Sequence, residues 1–205
     1  DTTNYYDVLP AHNLETAFWL ESDRMLQLDF NQKSLEVQQG VVCEEFKENY
    51  INQPYGDVWH KLRGLCYQSH PYQWPVIGKS LKQIQDVTLT DIEHFFYQHY
   101  RPNRAIMTVA GGVKAEEVKA LAEKWFGNIP SGKDYTRKLS IEPPQTTFRS
   151  LTLQADVPLD ALYMAFHTCT RYDEDYPITD TIAEILSSGH SSRLYNRLIK
   201  EKQIF

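Results

Sequence analysis

Cysteine is scarce and unpatterned in this chain. Cys43, Cys66 and Cys169 are an odd set with no CxxC pair, which excludes a disulfide framework or a zinc ribbon and leaves core or free thiols. No Lys/Arg-rich run occurs and the net charge is −6, which excludes the clustered basic face that nucleic acid needs. The longest apolar runs fall far short of the roughly 20 residues of a bilayer span, so no membrane span is expected. The opening DTTNYYDVLP is not laid out as a signal peptide. Also missing are GxSxG, a Walker loop and GxGxxG. Gly111-Gly112 lacks the Lys and the further glycines of a phosphate cradle and reads as a helix start. No Cys/His cluster emerges either. His12 precedes Glu15, but Thr16 stands where the second ligand of an i, i+4 zinc pair would be. His60, His70, His94, His99 and His167 fall on different faces and elements and read as hydrogen-bonded structural residues.

What is present suits an ordinary folded protein. At 205 residues the chain can bury a substantial core, in one large domain or two unequal ones. Thr3 to Leu9 alternates and is rich in Tyr, the pattern of a strand ended by Pro10. Asn13 is placed to cap a helix running to Leu28. Further helices are expected from about Asp57 to Cys66, from Thr88 to Tyr100 and from Lys114 to Phe126, then from Tyr176 to Leu186 and from Ser191 to Lys200. AIMTVA (105–110), FRSLTLQAD (148–156) and ALYMAFHT (161–168) read as strands. This order indicates an α+β fold, a mixed or antiparallel sheet covered by helices. Residues 127–145 are rich in Gly, Pro and charge. A linker placed at 131–145 divides the chain into units 1–130 and 146–205. The chain has no initiator Met, enters at once into a strand and stops at a helix. An excised fragment is the expectation.

One stretch stands apart. LEVQQGVVCEEFKENY, Leu35 to Tyr50, reads as an amphipathic helix with Leu35, Val41, Val42, Phe46 and Tyr50 on one side. Glu45 lies roughly 60° from the middle of that stripe, whereas Glu44 lies roughly 160° away and should face water. An acid in an apolar stripe must be paired, protonated, metal-bound or able to reach water. The helix by itself leaves these open. Residues 52–80 differ in kind, with Pro54, Pro71, Pro75 and three glycines among aromatics. They read as a short helix followed by an irregular loop of the sort that often carries function.

Four segments in register resemble the pitrilysin-type (inverzincin) zinc peptidases, which include the mitochondrial processing peptidases and insulin-degrading enzyme. They are NYYDVLPAHNLETAFWLESDRM, LEVQQGVVCEEF, the run from His70 to Val113, and Ser191-Ser192-Arg193-Leu194-Tyr195. The resemblance implies a truncated metallopeptidase half-domain followed by the start of a related one. It also implies a zinc cofactor held by two histidines of an HxxEH helix and by a downstream Glu, here Glu45. The HxxEH helix would precede Asp1, so the fragment should bind no stoichiometric zinc and should not hydrolyse peptides alone. Gln38 stands where the family often has an acid and takes a supporting place near the metal. Arg193 and Tyr195 are candidate substrate contacts. At the position of the family's substrate-binding Arg, this chain has Ile199. Implied partners are a peptide substrate, lying along a sheet edge expected near Asn103 to Gly112, and the remaining half-domains or a partner subunit. A non-catalytic homologue serving as scaffold or partner, or a plain peptide-binding module, is the alternative. The compartment is not readable from the sequence; the bacterial periplasm or cytoplasm fits best.

Overall fold

The computed structural model describes residues 2–204, and among these it is helical, with no strand. Seven α-helices run α1 Leu14–Leu26, α2 Gln32–Phe46, α3 Val58–Cys66, α4 Leu81–Gln85, α5 Leu89–His99, α6 Ala115–Phe126 and α7 Tyr176–Ser187. Two wider turns, Lys47–Ile51 and Tyr195–Glu201, follow π geometry.

Side-chain caps account for three of the seven helix starts. At α5, Thr88 and Asp91 form a reciprocal capping box, which satisfies two N–H groups that the first turn leaves open. Asn31 accepts from Ser34 N to start α2, and Ser80 accepts from Gln83 N to start the short α4. At α1 the expected cap residue is in place, but the Asn13 side chain makes no capping bond.

The α+β expectation fails. Residues 3–9, 105–110, 148–156 and 161–168 carry no regular secondary structure and belong to no sheet. Alternation of apolar and polar residues specifies an extended backbone with two faces. A strand also needs a neighbour to exchange N–H and C=O bonds with, and among the described residues these runs have none. Their apolar side chains stay in the open: Val8 is 93% exposed and Ile106 97%. With no strand at 105–110, there is no sheet edge at 103–112 for a peptide to lie along.

Side chains fasten these runs instead. The Tyr5 hydroxyl is hydrogen-bonded to that of Tyr100, and the Arg24 guanidinium lies 4.3 Å over the Tyr5 ring. Burial, and then Tyr5, push the Tyr100 phenol up to about 12. Farther along, the Tyr55 hydroxyl donates to Leu159 O at 2.7 Å.

Packing is concentrated in three places. Phe18 of α1 meets Phe126 of α6 edge-on, with centroids 6.2 Å apart. Phe96 of α5 is 1% exposed and lies among Phe30, Tyr97 and Tyr100. Cys43 and Phe46 of α2 close on Ile84 of α4, with Val42, Tyr50, Ile77 and Leu81 around them.

Two outcomes follow from this packing. Phe96→Ala removes the most enclosed ring and should cost roughly 3–5 kcal/mol in urea denaturation. Burial, and then the charges of Arg104 and His94, hold the His99 imidazole below its ordinary 6.5. The unfolded chain therefore takes up this proton first, so stability is whole above about pH 6.5 and falls as pH drops through the folded value. His99→Gln should shrink the loss of urea midpoint between about pH 7.5 and about pH 5 relative to wild type.

Candidate functional site

Helix α2 is oriented by its buried face. Leu35, Gln39, Val42, Cys43 and Phe46 turn toward the rest of the molecule, while Gln38, Val41, Glu44 and Glu45 are exposed. Gln39 fixes this orientation. Its Nε2 lies 3.0, 3.1 and 2.9 Å from the carbonyls of Ile84, Gln85 and Val87. An amide has two N–H groups, so these three acceptors share two protons. A carbonyl oxygen has two lone pairs, so Ile84 O accepts from Gln39 as well as from Val87 N.

The inward orientation expected for Glu45 is not observed. Val41 is 54% exposed, so it does not belong to the apolar stripe it was assigned to. With Gln39 and Cys43 in the stripe instead, Glu45 sits about 110° from its centre and Val41 about 150°. Glu44 is exposed as expected and pairs with Lys47 at 2.7 Å. That hydrogen bond holds the Lys47 ammonium above its ordinary range.

Glu45 is open and uncommitted. No hydrogen bond or ion pair engages its carboxylate among the described residues. Gln38 is exposed and equally free of partners. Seven residues apart on one helix, the two share a face at about 10 Å along the axis. The structure thus brings Glu45 and Gln38 to one surface.

Arg193 and Tyr195 lie elsewhere in the chain, and no hydrogen bond, ion pair or ring contact joins them to Glu45 or Gln38. Arg193 is exposed; Tyr195 is half-buried, stacked 4.7 Å from His190 with Lys200 Nζ 5.6 Å from its ring. Ser192 beside them is 3% exposed and accepts from Tyr195 N. His12 sits exposed in the single turn Ala11–Asn13. Among the described residues no group of three or more His, Cys, Asp or Glu is placed to hold a metal ion. None of the described helices is long and apolar enough to cross a membrane.

The C-terminal end of α2 carries a feature absent from the sequence reading. The π turn Lys47–Ile51 swings Tyr50 against His60 of α3, with ring centroids 4.5 Å apart and nearly perpendicular, and Phe46 meets the same imidazole at 5.3 Å. His60 Nε2 lies 3.3 Å from Gly78 O, which ties the irregular loop to α3. A shallow groove of about 300 Å³ opens beside it, lined by His60, Lys61, Gln73, Trp74 and Lys79.

Comparison with known proteins supplies the remaining context. The family described as "Peptidase M16 inactive domain" matches residues 86–205. The zinc protease PqqE of Helicobacter pylori is 28% identical over all of this chain, which spans 46% of that protein. The mitochondrial-processing peptidase subunit beta of Caenorhabditis elegans is 26% identical over 80% of the chain and 35% of its own length. The crystal structure of a protease from Helicobacter pylori superposes with a TM-score of 0.79 at 25% identity, over 94% of this chain and 47% of that one.

Proposed function

Because the chain belongs to the M16 peptidase family, we propose that it is one part of a zinc-dependent metalloendopeptidase and that Glu45 is the metal ligand it brings. The carrying observation is the Glu45 carboxylate, exposed on α2 and engaged by no partner among the described residues. Glu44 beside it is by contrast engaged by Lys47. The relative named a zinc protease, which this chain matches along its whole length, supports the same reading.

A catalytic zinc takes three protein ligands and leaves one position open. One carboxylate does not make such a site, so the residues present do not fit a zinc ion by themselves, and no chemical step is assigned to them. On this reading two histidines and the general base come from the parent protein outside these 205 residues. The chain alone then neither holds stoichiometric zinc nor hydrolyses peptides. Gln38, on the same face, would serve by hydrogen bonding rather than charge to a metal ligand that the parent brings, not to Glu45 itself. Residues 1–130 and 146–205 are proposed as two related units joined by 131–145, with Arg193 and Tyr195 on the peptide side. The partners are a peptide substrate and the remaining half-domains or a partner subunit; the processing-peptidase relative is itself named as a subunit.

A second reading, a non-catalytic subunit, is favoured by two departures: Gln38 in place of an acid, and Ile199 in place of an arginine. The description of the matched family as an inactive domain is consistent with it. Determining the parent's sequence before Asp1 separates the two, since an intact HxxEH supports the peptidase and degenerate histidines the scaffold. In the parent, Glu45→Gln should lower zinc content and peptide turnover together, by roughly the 10- to 100-fold or more seen when a metal site loses a supporting group. Zinc content equal to wild type would remove Glu45 from the site.

A further inference from the structure

The stretch between the two units does not hang free. At one point Asn103 and Gly132 exchange two hydrogen bonds, Asn103 Nδ2 donating to Gly132 O at 3.0 Å and Gly132 N to Asn103 Oδ1 at 2.8 Å. A side chain at 132 would place its Cβ 2.8 Å from Arg101 Cγ, so the close approach favours glycine. Arg104 donates to Tyr135 O at 3.2 Å, and its guanidinium lies 4.7 Å from the Tyr135 ring centroid.

A second attachment is more specialised. The Glu142 carboxylate accepts three successive backbone N–H groups, from Gln68 at 2.8 Å, Ser69 at 2.8 Å and His70 at 2.9 Å. Partial desolvation raises the Glu142 carboxyl pKa, but the backbone N–H groups and Arg149 outweigh it and leave the group below its ordinary value. Just before these amides, α3 ends, and its last carbonyls lack partners within the helix. Arg149 Nη1 donates to Leu65 O at 2.7 Å, and His167 Nε2 lies 2.9 Å from Cys66 O. The His167 ring also rests 5.1 Å from that of Tyr67.

Donors and acceptors are thus sorted along six residues. The free carbonyls at 65 and 66 meet nitrogen-bearing side chains, as the negative end of a helix favours. The free N–H groups at 68–70 meet a carboxylate, whose oxygens can accept several charge-assisted bonds. All three side chains come from beyond residue 140. We propose that the exit of α3 is a docking seat for the downstream unit, that backbone amides 68–70 form a carboxylate-binding site within it, and that Glu142 is the positioning residue that occupies it. The inference does not rest on the zinc assignment, and its test does not read activity.

Backbone amide exchange on the full chain reads the seat directly. Glu142→Ala should speed exchange at Gln68, Ser69 and His70 by roughly tenfold or more, the loss of over 1.4 kcal/mol of local protection. Exchange in α1 and α5 should stay at the wild-type rate, and cleavage within 133–148 by a nonspecific protease should accelerate. Glu142→Gln keeps one acceptor oxygen and should fall between. Unchanged exchange at 68–70 in both variants would overturn the proposal. So would a rise of equal size in α1 and α5, which would make Glu142 a general stabiliser rather than an occupant of this site.

Discussion

The apposition of α2 on α4 governs what the candidate site can be. Cys43, Phe46 and Ile84 are buried together there, and Gln39 reaches across to three carbonyls at the end of α4. Burial of two or three apolar side chains contributes several kcal/mol, while the Gln39 bonds allow only one rotation of α2 about its axis. That rotation is what puts Glu45 and Gln38 outside. A carboxylate buried under α4 would have needed a partner or a proton. Exposed as it is, Glu45 needs neither.

Helices are far more legible in the sequence than the absence of a sheet among the described residues. Thr88 with Asp91 announces α5, and the amphipathic run Ala115–Phe126 is found as expected. Such signals are local, because a helix satisfies its own backbone. Even α4, which was not anticipated, is preceded by a readable cap in Ser80 and Gln83. A strand instead depends on a neighbour that its own residues do not encode, and residues 105–110 or 161–168 look the same on paper with or without one. The wheel error at α2 has a related cause. Hydropathy places apolar Val41 in the core and polar Gln39 outside it, yet Val41 is exposed and Gln39 is anchored on backbone. Hydropathy ranks side chains by transfer free energy and is blind to an amide with three carbonyls waiting for it.

Glu45 is singled out by the motif resemblance, whereas its exposure and lack of a partner are visible only in the structure. The Glu142 contact had no sequence signal at all. A single acid in a Gly- and Pro-rich stretch is ordinary, and its partners are main-chain amides whose direction depends on how α3 ends. Features built from backbone groups of one segment and a side chain of another are invisible to any reading that scans residues in order.

The attachment of Glu142 to residues 68–70 spans more than seventy positions. On a ribosome adding about 5–20 residues per second, the amides emerge several seconds before the carboxylate that satisfies them. Through that interval the exit of α3 is solvated, and α1 to α6 can assemble with the seat vacant. Arrival of the acid then ties the later chain to a surface that earlier residues have already formed.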